Sequence, residues 1–139
     1  MNILFDASAL FKRYSGEAGV SRVLQLQASA TAVTAAVHCK TEVASALTRQ
    51  WREGAFSDQE YDRVLADIYA DFDELDVKPL SGQAERHAIA AMRLASLRGM
   101  DALHIGTAKA AYVDLFVTAD KRQAAAAQAV GLKTELIEA

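Results

Sequence analysis

The chain has 139 residues, a length that suits one domain with a buried core. Its apolar content of 52% and charged content of 24% exclude a disordered chain, and no apolar run is long enough to cross a bilayer. With 15 basic and 18 acidic residues the formal net charge is -3, so no global field draws a polyanion, and binding of nucleic acid requires a local basic patch.

Ile3-Leu4-Phe5 is a short apolar run ending at Asp6 and reads as a buried strand. Ala7 to about Tyr14 follows as a helix, interrupted by Gly16. Val20, Val23, Leu24 and Leu26 form a helical stripe, and the β-branched stretch Thr31 to Thr34 reads as a second strand. From Val37 to Glu53 the pattern is helical, with Val43, Ala44, Leu47 and Trp51 on one buried face and Gly54 as its stop. Ser57-Asp58-Gln59-Glu60 has the form of a capping box, and it opens a helix whose apolar face is Tyr61, Val64, Leu65, Ile68 and Phe72. Leu75 to Leu80, with the only proline, Pro79, reads as a strand running into a loop. An alanine-rich helix spans Ser81 to about Leu97, ended by Gly99. Asp101 begins another, with Leu103, Ile105, Ala108 and Tyr112 near its core side. Leu115 to Thr118 is the clearest strand; Asp120 caps a helix through Ala129, Gly131 stops it, and Thr134 to Ile137 is a last strand. Short apolar strands alternating with helices predict an α/β fold with a mainly parallel sheet covered on both faces. With no repeat, low-complexity tract or linker, residues 1–139 read as a single domain.

In open α/β sheets ligands bind beyond the carboxyl ends of the strands. Asp6 and Asp120 each fall just past a strand and just before a helix. Asp101, at a helix start, faces the same crevice if its helix leads into the Leu115 strand. Glu42, about a turn and a half into its helix, is offset from the buried stripe and can point along the sheet edge. Taken singly, each Asp reads as a helix cap and Glu42 as a solvated residue. Taken together, converging carboxylates repel, by about 4 kcal/mol for a pair about 4 Å apart at an effective dielectric near 20. Either protonation or a cation must compensate. An oxygen-only donor set favours Mg²⁺ or Mn²⁺ over zinc. Such an ion suits phosphodiester hydrolysis, since it lowers the pKa of a bound water and polarises the phosphoryl oxygen, while a free carboxylate orients the water. Ser8 follows Asp6 by two and Thr118 precedes Asp120 by two; in extended backbone that spacing shares a face, so these hydroxyls are candidates to hold a water or a carboxylate.

Phe5-Asp6-Ala7-Ser8-Ala9-Leu10, Thr41-Glu42-Val43-Ala44-Ser45-Ala46-Leu47, Met100-Asp101-Ala102-Leu103-His104 and Phe116-Val117-Thr118-Ala119-Asp120 resemble, in order, the motifs of PIN-domain nucleases, most closely the VapC-type toxins of bacterial toxin–antitoxin pairs. The resemblance runs from Ile3 to Gly131. It implies a Rossmann-like three-layer α/β/α sandwich and a Mg²⁺- or Mn²⁺-dependent endoribonuclease. It also implies a toxin homodimer and a cognate antitoxin that blocks the acidic site. By position, Asp6, Glu42 and Asp101 match the core metal-site acids, Asp120 the more variable fourth acid, and Thr118 the hydroxyl that supports it. Met100 departs from the small or polar residue often found there. The family also has inactive members, so a catalytically silent protein-binding module is the alternative.

Among the remaining residues, His38 stands four before Glu42 and reads first as a core-edge histidine, with metal ligation as the minority reading. His104, a turn after Asp101, is expected to pack or hydrogen-bond between helices; His87 has no motif around it. Cys39, the only cysteine, lacks partners for a catalytic thiol and cannot close an internal disulfide. With no cationic, apolar leader, the expectation is a cytoplasmic protein without membrane contact. Lys12, Arg13, Lys121 and Arg122 are candidates for RNA phosphates, weighed evenly against solvated helix residues. Trp51, Phe56, Tyr61 and Tyr69 read as core or interface, and the helices around Ala44 to Trp51 and Tyr61 to Phe72 could clasp an antitoxin segment. An aspartyl-phosphate phosphatase needs a second Asp where this chain has Ser8, which ranks that reading low.

Overall fold

A computed structural model describes residues 1–138; Ala139, the last residue of the expected domain, lies outside them. In chain order the elements are β1 (Asn2–Phe5), α1 (Ala7–Ser15), α2 (Val20–Ser29), β2 (Ala32–Ala36), α3 (Cys39–Arg52), α4 (Asp58–Asp73), β3 (Asp76–Lys78), α5 (Gly82–Leu94), α6 (Gly99–Ala110), β4 (Leu115–Thr118), α7 (Lys121–Ala129) and β5 (Thr134–Leu136). The strands form one sheet in the order β3-β2-β1-β4-β5, every pair parallel.

Side-chain alternation along the strands assigns the two cores. Ile3, Phe5, Leu115 and Val117 point to one face and pack with residues of α1 to α4, among them Leu10, Val23, Val43, Leu47 and Ile68. Leu4 and Phe116 point to the other and pack with Ala91, Ile105, Ala126 and Ala127 of α5 to α7. The result is the three-layer α/β/α sandwich with a parallel sheet. Its central strands are buried on both faces, which is why they read as unbroken apolar runs. No helix among the described residues is long and apolar enough to cross a membrane.

The capping box is present: Ser57 Oγ accepts from the Glu60 amide at 3.1 Å, and the Ser57 amide donates to Glu60 Oε1 at 2.9 Å. Other boundaries moved. α5 ends at Leu94, and Gly99, expected as its stop, instead lies inside the first turn of α6, with Arg98 at the N-cap. Asp101 therefore sits in the first turn, not at the helix start. Tyr112, expected near the core side, lies beyond the end of α6 with φ of 54° and is 80% exposed. Likewise α3 starts at Cys39, which brings Glu42 into its first turn.

α6 is pressed against α5 through small residues, and this seam sets the height of the residues on α6. Ala84, Ala88 and Ala91 of α5 and Ala102 of α6 are buried. A Cβ on Gly106 would stand 2.2 Å from the Ala84 carbonyl oxygen and 2.9 Å from the Ala88 Cβ, so only glycine fits.

A candidate active-site cleft at the carboxyl edge of the sheet

β1 lies between β2 and β4, so the connections leaving β1 and β4 run to opposite sides, and a crevice opens past their carboxyl ends. Asp6, Glu42, Asp101 and Asp120 all line it. Acids separated by more than a hundred residues in sequence thus share one cleft.

Asp6 is 1% exposed and caps α1, accepting from the Ala9 amide at 3.0 Å. Ser8 Oγ donates to the same carboxylate oxygen at 2.7 Å. The other oxygen accepts from Thr118 Oγ1 at 2.5 Å and Gln123 Nε2 at 2.7 Å. Both expected hydroxyls therefore meet a carboxylate, though for Ser8 the geometry differs from the expectation: it is in the first turn of α1, not in extended backbone. Thr118 Oγ1 also accepts from the Asp120 amide at 3.0 Å, linking the two acids. Asp120 caps α7, accepting from the Arg122 amide at 2.9 Å, and still faces the cleft. For Asp6 and Asp120 the cap and site readings coexist.

Gln123 was not anticipated. Three residues after a capping Asp, it reads as the reciprocal partner of a capping box. Instead it is buried and turned to Asp6, and its Oε1 has no partner among the described residues.

Glu42 on α3 meets His104 on α6, whose Nε2 lies 2.5 Å from Glu42 Oε1. His38 Nε2 lies 3.3 Å from the same oxygen and 2.8 Å from the Met100 carbonyl oxygen, and the two imidazole centroids are 4.2 Å apart. Burial works to raise the Glu42 carboxyl, but the hydrogen bond and charge of His104, aided by His38, outweigh it and hold Glu42 below its usual range. Burial and the neighbouring His104 push His38 down, against the pull of Glu42. Asp101 shows the reverse balance. Burial, then the charges of Asp120, Glu42 and Asp6, push its carboxyl up despite His104. A desolvated carboxylate among other carboxylates is the chemistry a hard divalent cation neutralises, so these donors fit a divalent cation.

The expected basic residues divide. Lys121 and Arg122 line a depression that adjoins the acids and includes Asp101 and Asp120. Lys12 lines the acid cleft, but its Nζ donates to the Ala18 carbonyl at 2.9 Å. Arg13 does not reach the cleft: about 100° round the helix from Lys12, it pairs with Asp71 at 3.5 Å and donates to Gln27 at 3.2 Å. Two arginines were missed. Arg49, two turns after Glu42 on the same face of α3, lines the acid cleft, and Arg98 joins Lys121 and Arg122. The spacing from Glu42 could have signalled Arg49; no local signal marks Arg98.

Cys39 is fully buried with its thiol pushed well up by burial, in keeping with an inert role. Phe56 and Tyr61 pack against the core, Trp51 stacks on Tyr61 with centroids 5.1 Å apart, while Tyr69 is 57% exposed with the Lys40 ammonium 5.0 Å from its ring.

The fold and cleft are those of a PIN domain, and the chain belongs to that family: the profile described as PIN domain matches residues 3–129. Among solved structures it is similar to Mycobacterium tuberculosis VapC20, a sarcin-ricin loop cleaving toxin, at 18% identity over 89% of this chain and 94% of that one, with a TM-score of 0.70. It is similar to Rickettsia felis VapBC2 bound to a promoter DNA fragment, at 11% identity over 99% of this chain and 100% of that one, TM-score 0.71. Salmonella typhimurium VapBC bound to DNA aligns at 14% identity over 99% of each chain, TM-score 0.69. At such identities the likeness concerns the fold. No curated protein matches the sequence.

Proposed function

We propose that this PIN-domain protein is a divalent-metal-dependent endoribonuclease, the VapC-type toxin of a toxin–antitoxin pair. Asp6, Glu42, Asp101 and Asp120 would hold Mg²⁺ or Mn²⁺. The observation that carries the reading is Asp101, a carboxyl pushed up in a cleft it shares with Asp6, Glu42 and Asp120. A fold that gathers such charges without a cation loses stability for nothing in return. When bound, the ion supplies an acidified water and a polarised phosphoryl oxygen.

The chain's own residues do the rest. Ser8, Thr118 and Gln123 fix the Asp6 carboxylate, and His104 fixes Glu42. Asp101, without a hydrogen-bond donor among the described residues, would hold the ion through one oxygen and keep the other to orient the attacking water and take its proton. Lys121, Arg122 and Arg98, on the adjoining depression, hold the phosphates of the RNA strand. In this reading residues 1–139 act as one domain, a cognate antitoxin covers the cleft, and the toxin is a homodimer. The toxin and VapBC relatives support the antitoxin partner. The second reading, a silent protein-binding module, draws on the helix-capping roles of Asp6 and Asp120.

Metal titration separates the two. Mg²⁺ or Mn²⁺ should raise the melting temperature, with about 2.7 kcal/mol gained at 100 times Kd; no shift up to millimolar Mn²⁺ favours the silent module. Asp101→Asn keeps the shape and should cut RNA cleavage about a hundredfold or more. Undiminished cleavage by this variant removes Asp101 from the site and the proposal with it.

A further inference from the structure

We propose that His38, Glu42 and His104 form a nitrogen-rich metal site that takes Zn²⁺, sharing Glu42 with the oxygen-only site of the acids. The zinc site stands independently of the nuclease reading; only the competition for Glu42 rests on it.

The donor atoms of these three residues lie within 4.8 Å of one another. Two imidazoles and a carboxylate are the donor set of zinc rather than magnesium, because nitrogen ligands suit the softer ion. The spacing is close to what zinc requires. Tetrahedral bonds of about 2.0–2.1 Å put neighbouring ligand atoms about 3.3 Å apart. His38 Nε2 is 3.3 Å from Glu42 Oε1 already, and His104 Nε2, at 2.5 Å, needs only to withdraw by less than about an ångström.

Orienting Glu42 needs one histidine, and His104 supplies it. Yet the Nε2 of His38 also stands 3.3 Å from the same oxygen while donating to the Met100 carbonyl at 2.8 Å, the one bond that ligation by His38 would break. The two histidines come from separate elements, His38 from the N-cap of α3, one turn before Glu42, and His104 from α6. The two imidazoles are 10% and 1% exposed, which holds them in place, while Glu42, 29% exposed, opens the site to the cleft. The second nitrogen of His104 is buried with no partner among the described residues. The proton that leaves Nε2 when a metal arrives can occupy Nδ1, where a buried N–H without an acceptor offsets part of the gain. Three ligands leave a fourth position. Glu42 and His104 line the cleft, so that position opens toward water.

The test uses the full chain stripped with a chelator and titrated with Zn²⁺ alone by calorimetry, and with Co²⁺ as a spectroscopic probe. Wild type should bind one Zn²⁺ per chain, and Co²⁺ should give the intense visible absorption of a four-coordinate site. His38→Gln and His104→Gln should each weaken zinc about a hundredfold or more, beyond what loss of an outer-shell partner causes, and abolish the absorption. Asp101→Asn should keep zinc while losing the Mg²⁺- or Mn²⁺-dependent thermal shift. Zinc affinity unchanged by His38→Gln, or lost only with Asp101→Asn, overturns the site. Circular dichroism melts check each fold; if buried His104→Gln does not fold, the His38→Gln result decides.

Discussion

At the residue scale, the cleft is an arrangement of carboxylates with unequal partners. Asp6 accepts four hydrogen bonds, while Asp101 accepts none among the described residues and is pushed up by its neighbours. This asymmetry gives opposite predictions for two variants. Gln123→Leu removes a donor to a buried carboxylate, costing about 1.5–3 kcal/mol, but also removes the orphaned Oε1, which returns part of it. A net loss of about 1 kcal/mol is expected in urea denaturation, with weaker Mn²⁺ binding. Asp101→Asn should instead stabilise the metal-free protein. A carboxyl raised in the folded state contributes stability below its unfolded pKa and loses it as pH rises through the folded value. At neutral pH the charge is therefore a liability, and the variant should melt higher than wild type without divalent ions and lower with them. Asp6 and Asp120 are legible as residues between a strand end and a helix start, whereas Glu42 and Asp101 stand out through the resemblance, and the structure sets both in first turns. Gln123 and Arg98 were not legible, since what they face depends on packing between elements distant in the chain.

At the element scale, the seam between α5 and α6 governs the site more than any helix propensity does. Gly106→Ala gains about 1 kcal/mol of helix preference. That is smaller than the overpacking cost of about 3 kcal/mol, because the obstacle is the Ala84 carbonyl, a backbone atom that cannot swing away. A net loss of about 2 kcal/mol is expected by denaturant titration. Since α6 carries Asp101 and His104, metal affinity measured on the folded fraction should fall as well. The sequence revealed the α5 and α6 helices but misplaced their junction. Glycine so often ends a helix that Gly99 predicts a stop, whereas the chain uses it inside a first turn.

At the scale of the whole molecule, the alternation of short apolar strands and helices sufficed to predict a parallel sheet between two helical layers. Strand order did not follow from it: a chain that alternates the same elements can place β4 at an edge, and only the pairing of β1 with both β2 and β4 creates the crevice. The net charge of -3 confines any attraction for RNA to one region. Lys121→Ala should weaken RNA binding and flatten the dependence of log affinity on log salt by about 0.7, the value for one phosphate contact on a single strand. Arg13→Ala, at a residue engaged with Asp71 away from the cleft, should leave that slope unchanged.

The four hydrogen bonds to Asp6 come from residues 8, 9, 118 and 123, so segments more than a hundred residues apart are clasped at one buried carboxylate. During synthesis, Asp6, Glu42 and Asp101 are all polymerised before β4 exists to lie beside β1. Until Thr118 and Gln123 follow, the Asp6 carboxylate has only its local donors, Ser8 and Ala9. The centre closes only when these segments, far apart in sequence, have met.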